Sequence, residues 1–75
     1  MNKNHPDLSS AIAKLPILVA REKIGDYLGG VYTSKYMARL DSEGKGPKRM
    51  RVGRKIAYRS EDLVSWLEAN SIELI

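Results

Sequence analysis

The sequence contains no cysteine and a single histidine among its 75 residues. Without cysteine the chain cannot form a disulfide framework or a thiolate-ligated zinc or iron–sulfur site, which fits a reducing compartment. The histidine, His5, stands alone in a segment that we expect to be a mobile tail. The chain has no glycine-rich phosphate loop followed by Lys-Ser or Lys-Thr, and it is short for enclosing a pocket. We therefore expect a protein that is not an enzyme and uses no cofactor or metal.

Long apolar runs are also missing. Uncharged stretches such as Leu15 to Ala20 are far shorter than the roughly 20 residues needed to span a bilayer. The segment Met1 to Pro6 has a lysine but no apolar stretch behind it, so we expect neither a membrane helix nor a secretory signal. These absences favour a cytoplasmic protein.

The chain is long enough for one small domain. At this length folding hides only about 60% of the surface that the unfolded chain exposes, so a few large apolar side chains must form the core. With 43% hydrophobic and 29% charged residues, the composition is typical of a globular protein rather than a disordered one.

Positive charge is concentrated in one part of the chain. The net charge is only +4, but residues 44–60 carry seven basic and no acidic side chains, whereas residues 61–75 carry four acidic and no basic ones. A run of like charges is often just a solvated face or a disordered tail. An apolar alternation inside the basic segment favours a folded element instead.

That alternation predicts a β-hairpin. Every second position is apolar on one face, which holds Met50, Val52, Ile56 and Tyr58. The mostly cationic face holds Arg49, Arg51, Ala57 and Arg59. The turn is predicted near Gly53-Arg54-Lys55, because glycine accepts the positive φ that tight hairpins need. We expect Tyr58 in the core and Arg54 at the tip.

Two helices are predicted before the hairpin. The first runs from Ala20 to Leu28, since its apolar positions recur with helical spacing, and Gly29-Gly30 ends it. The second begins at an N-cap residue, Thr33, and ends near Ser42.

The second helix is predicted to bury Met37 and Leu40. This orientation turns four other side chains toward solvent, namely Lys35, Ala38, Arg39 and Ser42. Tyr36 lies at the edge of the apolar stripe, where it could either pack or donate a hydrogen bond to a phosphate.

A third helix is predicted from an N-cap at Ser60 to about Asn70. Its apolar stripe consists of Leu63, Trp66 and Leu67, and we expect Trp66 to be a packing anchor. The spacing of Leu8, Ile12 and Leu15 allows a short helix near the N-terminus, ended by Pro16. We therefore divide the chain into a tail or short helix at 1–16, a domain at 17–70 and a tail at 71–75.

The order helix, turn, helix, hairpin, helix predicts an α+β fold, a small winged helix-turn-helix with a C-terminal packing helix. The second helix would enter the major groove of duplex DNA, roughly 12 Å wide, and the hairpin would follow the backbone or probe the minor groove. The candidate contacts from the helix are Thr33, Ser34, Lys35, Tyr36 and Arg39. The candidate contacts from the hairpin are Lys48, Arg49, Arg51, Arg54, Lys55 and Arg59.

The stretch from Ile17 to Leu67 resembles the excisionase-type MerR-like helix-turn-helix domain. The resemblance rests on the runs Arg21 to Gly30 and Glu43 to Asn70. Its most specific pieces are Tyr27-Leu28-Gly29, Gly44, Gly46-Pro47, Val52-Gly53, Tyr58-Arg59, Asp62-Leu63 and Trp66-Leu67. The chain departs from the family at Ala20, where members often have a threonine or serine N-cap, and in a turn from Gly29 to Tyr32 that is about two residues longer.

The resemblance implies a recognition helix from Thr33, a wing from Lys48 to Arg59 and a packing helix from Ser60. Proteins of this family occur in phages and integrative elements, bind and bend DNA near an attachment site, and direct a partner integrase toward excision. The implied partners are double-stranded DNA, an integrase and further copies of the chain on DNA, in the bacterial cytoplasm. Two alternatives stay open: a small transcriptional regulator, and an adaptor that docks a partner through the acidic segment 61–75.

Overall fold

The computed structural model describes residues 5–74 of the chain and has an α+β fold, as predicted. A three-stranded antiparallel sheet has the order β1-β3-β2, with β1 at Leu18–Ala20, β2 at Met50–Val52 and β3 at Lys55–Arg59. Helices α1 (Ile24–Tyr27, after a 3-10 turn at Arg21–Lys23) and α2 (Ser34–Ser42) lie between β1 and β2 in the chain. Helix α3 (Ser60–Ala69) follows β3, and a 3-10 helix (Ser9–Lys14) precedes β1.

The hairpin forms as predicted, but its two faces differ from the prediction. Val52 pairs with Lys55 and Met50 with Ala57, so the turn contains only Gly53 and Arg54. Residues opposite each other in a ladder share a face of the sheet. The even turn therefore places Ala57 on the side of Met50 and Val52, whereas Ile56 and Tyr58 lie on the other side.

The exchange of faces corrects two predictions. Arg51 lies opposite Ile56 and shares its side of the sheet, rather than the side of Ala57. Ala57 is buried because it lies between Ala20 of β1 and Met50 of β2. The predicted separation into an apolar and a cationic face required a turn with an odd number of residues, and the observed turn has two.

Strand β1 was not predicted, and the first helix was predicted to begin too early. Ala20 belongs to the strand and pairs with Ala57, and the helical turn starts at Arg21. Ala20 stands at the N-cap position without a capping side chain. Ile24 is fully buried, but Tyr27 is 46% exposed, so the predicted apolar stripe is only partly a core face.

The turn between α1 and α2 forms where its glycines and the Thr33 cap predicted it. Gly29 and Gly30 both have positive φ, and the Gly30 N–H donates to the Gly25 carbonyl oxygen at 2.9 Å. This bond closes a Schellman-type end of α1. Thr33 caps α2, because its Oγ1 accepts from the Tyr36 N–H at 3.2 Å. Both predictions are confirmed.

Helix α3 continues directly from β3. The Ser60 N–H donates to the Ile17 carbonyl oxygen at 3.0 Å, and Ser60 is the first helical residue. The N-cap residue is Arg59, and no side chain caps the helix, so the prediction of a Ser60 cap is wrong. Asn70 is the C-cap, as predicted.

The core lies between the sheet and the helices. Its buried members are Val19, Ile24, Met37, Tyr58 and Leu63, and the half-buried side chains packed against them include Leu15, Leu28, Leu40, Trp66 and Leu67. The predicted core positions of Met37, Tyr58 and Leu63 are confirmed. Trp66 packs at the edge of this core, where its Nε1 donates to the Lys45 carbonyl oxygen at 2.8 Å.

The segment before β1 folds back on α3. The Leu8 N–H donates to Glu68 Oε2 at 2.7 Å, and His5 Nδ1 lies 2.8 Å from the Ser71 carbonyl oxygen. The predicted short helix is the 3-10 helix Ser9–Lys14. At its start, the Asp7 carboxylate accepts hydrogen bonds from the N–H and the hydroxyl of Ser9. Met1 to Asn4 of the predicted N-terminal segment, and Ile75 of the predicted C-terminal tail, lie outside the described residues.

No helix within residues 5–74 is long and apolar enough to cross a membrane.

Candidate nucleic-acid interface

An open groove separates α2 from the tip of the β2–β3 hairpin. Its volume is about 570 Å³, and it is lined by residues from both elements and from the start of the first helical turn: Arg21, Glu22, Ser34, Lys35, Ala38, Arg54, Lys55 and Ile56. Four of these eight side chains are cationic. We call this the α2–hairpin groove.

The exposed face of α2 forms one wall. Thr33 fixes the start of the helix, and Met37 is fully buried in the core cluster. At 3.6 residues per turn, Ser34, Lys35 and Ala38 fall within about 100° of one another, on one flank of the helix beside the buried Met37. All three line the groove; the sequence predicted only that Lys35 and Ala38 face away from the core.

The hairpin tip forms the opposite wall. Gly53 has a φ of 64° and is the first central residue of the two-residue turn, the position at which type II′ turns take glycine. Arg54 follows at the tip and is exposed. Arg54, Lys55 and Ile56 then line the groove opposite α2.

Lys35 belongs to two depressions. Besides the α2–hairpin groove, it lines a smaller pocket of about 250 Å³ together with Thr33, Tyr36 and Arg39. Tyr36 is half-exposed, and its ring stacks on Tyr32 with centroids 5.7 Å apart. The two depressions share Lys35 and together contain all five candidate contacts from the helix, and Tyr36 both packs and remains accessible.

Two of the candidate cations are already paired with carboxylates. Lys55 Nζ lies 2.8 Å from Glu22 Oε2, across the α2–hairpin groove, and Arg39 Nε lies 3.3 Å from Glu43 Oε2. The hydrogen bond from Lys55 lowers the pKa of the Glu22 carboxyl. Exposed pairs of this kind contribute little to stability and exchange readily, so they do not prevent a phosphate from taking the cation.

The other hairpin cations do not converge on the same place. Lys48, Arg49 and Arg59 line a separate pocket of about 270 Å³ together with Met50 and Asp62. This pocket shares no lining residue with the α2–hairpin groove. Arg51 lines neither depression. Within residues 5–74, six of the eleven candidates are cations without an ion pair, namely Lys35, Lys48, Arg49, Arg51, Arg54 and Arg59.

A buried charge network was not predicted. Asp41 Oδ2 accepts from Arg21 Nη1 at 2.9 Å and from the Tyr58 hydroxyl at 2.7 Å. The Asp41 side chain is 3% exposed, and that of Arg21 is 27% exposed. Burial, together with the bond to Asp41, raises the pKa of the Tyr58 hydroxyl. The network links the 3-10 turn that follows β1, the end of α2 and strand β3.

The sequence feature that indicates burial of Asp41 is its spacing from Met37. Asp41 follows Met37 by four residues on α2, so it must lie on the same buried face, and a buried carboxylate needs donors. Its Oδ1 atom has no hydrogen-bond partner among the described residues and lies against Gly46, where a Cβ atom would overlap it. Gly46 is therefore required for close packing on Asp41.

Metal-binding geometry is not found in the part of the chain that the structure describes. No group of three or more histidine, cysteine, aspartate or glutamate side chains is arranged to hold an ion there.

Comparison with known proteins does not assign the chain to a family. A scan against protein-family models finds no match, and a search of curated proteins finds no significant relative.

Proposed function

We propose that the protein is a winged helix-turn-helix DNA-binding protein whose recognition helix is α2 and whose wing is the β2–β3 hairpin. The observation that carries this proposal is the α2–hairpin groove. Side chains from a polar helix face and from a basic hairpin tip line the same open surface, although they are about twenty positions apart in the chain.

The dimensions of α2 suit a major groove. An α-helix with its side chains is about 10–12 Å across, which fits a major groove roughly 12 Å wide, and the nine residues of α2 make it about 13 Å long. The small side chains of Ser34 and Ala38 line the groove beside Lys35, so bases can approach closely. Arg54 and Lys55 at the hairpin tip then meet the flanking phosphates or the minor groove.

The charge distribution supports the same function. Phosphates dominate the affinity of proteins for DNA, because each cation placed on the duplex releases condensed counterions. Residues 44–60 supply seven cations, and Lys35 and Arg39 extend this charge along α2. We expect Arg39 to influence which sequence is preferred and Arg54 to contribute mainly to affinity.

A titration of duplex DNA against salt tests the proposal. If about four to six phosphates are neutralised, the plot of log K against log salt should slope at roughly −4 to −5. Lys35→Gln and Arg54→Gln should each reduce the slope by about 0.9. The matched control is Lys14→Gln, since Lys14 is exposed on the N-terminal 3-10 helix and outside the groove. A flat salt dependence of the unmodified protein would contradict DNA binding.

Within this function, we infer a role as an accessory factor of site-specific recombination. The support is the resemblance of Ile17 to Leu67 to excisionase-type domains. The protein would bend DNA beside an attachment site and bias an integrase toward excision, whereas a transcriptional regulator would act at a promoter. An excision assay with an integrase encoded beside this gene separates the two. Unchanged recombination on adding the protein, while it still binds DNA, would favour the regulator.

A protein adaptor is a second candidate function. It is favoured by the exposure of Ile72 and Leu74, two apolar side chains on either side of Glu73 in the acidic C-terminal segment. Deletion of residues 71–75 should then abolish integrase binding in a pull-down while leaving the affinity for duplex DNA unchanged. Loss of DNA binding in the same variant would instead show that this segment supports the fold.

A further inference from the structure

Arg21 stands out among the cations of the α2–hairpin groove because it is also part of the buried network. It lines the groove beside Lys35 and Arg54, and its Nη1 donates to Asp41 Oδ2 at 2.9 Å. Its side chain is 27% exposed. One part of the guanidinium is therefore fixed inside the protein, while the residue still borders the groove.

The carboxylate that holds Arg21 is itself immobile. Asp41 is 3% exposed, its Oδ2 also accepts from the Tyr58 hydroxyl at 2.7 Å, and its Oδ1 packs against Gly46. A guanidinium has five N–H donors in a rigid planar fork, and the bond to Asp41 uses Nη1 alone. The guanidinium also lies near the Tyr58 hydroxyl, where it partly opposes the rise in pKa that burial causes. No other hydrogen bond from the Arg21 side chain is found within residues 5–74, so donors remain for a second acceptor.

We propose that Arg21 is a phosphate-binding residue, that the phosphate belongs to duplex DNA lying in the α2–hairpin groove, and that Asp41 is its positioning residue. This inference rests on the proposed DNA-binding function. Lys35, Arg54 and Lys55 are exposed side chains that must lose rotamer freedom when they bind. Arg21 is already ordered, so it contributes a contact without that loss and fixes where the backbone lies.

The role of Asp41 makes the proposal testable against simple electrostatics. Removing a carboxylate from a DNA-binding surface should tighten binding, because it removes repulsion with the phosphates. If Asp41 holds Arg21 in place for a phosphate, removing its charge should weaken binding even though the protein becomes more positive. Glu22 provides the matched control, since it is a second carboxylate in the same groove and pairs with Lys55 instead.

The experiment compares Asp41→Asn with Glu22→Gln, using a fluorescent mixed-sequence DNA duplex and anisotropy. We expect Glu22→Gln to bind a few-fold more tightly than the unmodified protein, and Asp41→Asn to bind about tenfold more weakly, the usual effect of losing one well-placed arginine contact. Circular dichroism and Trp66 fluorescence check that each variant is folded. Tighter binding by a folded Asp41→Asn would overturn the positioning role.

If Asp41→Asn fails to fold, the variant Arg21→Lys tests whether Arg21 binds a phosphate. Lysine can pair with Asp41, which keeps the buried carboxylate neutralised, but its compact ammonium lacks the planar fork that reaches a second acceptor. We expect a folded protein whose salt slope is smaller by about 0.9, one phosphate contact. A slope and affinity equal to those of the unmodified protein would show that Arg21 is purely structural. If the unmodified protein itself shows no salt-dependent binding, the DNA-binding proposal fails and this one with it.

Discussion

Two ion pairs border the α2–hairpin groove and differ mainly in their burial. Arg21 Nη1 lies 2.9 Å from Asp41 Oδ2, and Lys55 Nζ lies 2.8 Å from Glu22 Oε2. Asp41 is 3% exposed, whereas Glu22 is 53% exposed. Distance alone would rank the two pairs as equal. Burial separates them, because water and salt can reach both members of the Lys55–Glu22 pair but cannot reach the carboxylate of Asp41.

Because of this difference in burial, we expect the two pairs to have different roles, one in the fold and one in binding. The Arg21–Asp41 pair, with Tyr58, joins the 3-10 turn after β1 to α2 and β3, so it holds the helix wall of the groove against the sheet. The Lys55–Glu22 pair joins the hairpin tip to the first helical turn through side chains that remain in water. We expect the first pair to stay intact when DNA binds, and the second to open as Lys55 moves to a phosphate.

Removing the buried carboxylate should have the largest effect. Asp41→Ala leaves Arg21 partly buried without a counter-charge and the Tyr58 hydroxyl without an acceptor. Breaking a buried pair in this way lowers the free energy of unfolding by about 3–5 kcal/mol. The total free energy of unfolding expected for a chain of this length is only about 4–11 kcal/mol. Urea denaturation followed by Trp66 fluorescence measures the loss. A cost below about 1 kcal/mol would mean that the pair is no more structural than an exposed one.

The fold could be predicted where its signals are local. The Thr33 cap and the Gly29-Gly30 end of α1 each depend on residues within one helical turn, and both are confirmed. Strand β1 has three residues and is a strand only because β3 pairs with it. The faces of the hairpin depended on whether the turn holds two residues or three, and Gly53 is compatible with either.

The second prediction concerns the packing of Gly46 on the buried pair. A Cβ atom at position 46 would overlap Asp41 Oδ1, so Gly46→Ala must displace either the loop or the carboxylate. Overpacking of this kind costs about 1–3 kcal/mol. The matched control is Gly25→Ala, where the new Cβ atom would lie 3.6 Å from the Tyr32 carbonyl oxygen, an ordinary contact.

Gly25→Ala should be neutral or stabilising by up to about 1 kcal/mol, because alanine favours a helix over glycine. Chemical denaturation of both variants measures the contrast. Equal free energies of unfolding for the two variants would show that the close approach of Gly46 to Asp41 does not constrain the fold.

The candidate site was predictable in composition but not in arrangement. Exposed cations such as Lys35 and Arg54 follow from helical period and turn position. The grouping of Lys48, Arg49 and Arg59 around a separate pocket follows from three-dimensional packing. Arg21 and the bonds to Asp41 were missed because the bonded residues lie 20 and 17 positions apart in the chain, and the spacing of Asp41 from Met37 indicates burial but not the donors.

The third prediction tests the hydrogen bond that completes the buried pair. Tyr58→Phe removes the hydroxyl but leaves Asp41 paired with Arg21, so the expected cost is smaller, about 1–2 kcal/mol at neutral pH. The raised pKa of Tyr58 fixes the sign of its pH dependence, because the folded state favours the protonated hydroxyl. Its contribution is complete below the pKa of an unfolded tyrosine, about 10, and is lost as the pH rises above it.

The unmodified protein should therefore lose stability more steeply than Tyr58→Phe above about pH 10. Denaturation midpoints of both proteins at neutral and alkaline pH provide the comparison. Parallel decreases in the two proteins would contradict a buried, protonated Tyr58.

The smallest effect is expected at the exposed pair, where it should appear in binding rather than in folding. Glu22→Gln should leave the denaturation midpoint unchanged, because both members of the pair are more than half exposed.

In the free protein the bond from Lys55 lowers the pKa of Glu22. When Lys55 moves to a phosphate, that bond is lost and the neighbouring anion disfavours the carboxylate, so the pKa rises on binding. Binding then takes up protons, and the affinity for DNA should increase by up to a few-fold as the pH falls from 7 toward about 4.3, the ordinary pKa of glutamate. Anisotropy titrations of the unmodified protein and Glu22→Gln across this range isolate the effect, since the other carboxylates are common to both. An identical pH dependence in the two proteins would show that Lys55 remains on Glu22 in the complex.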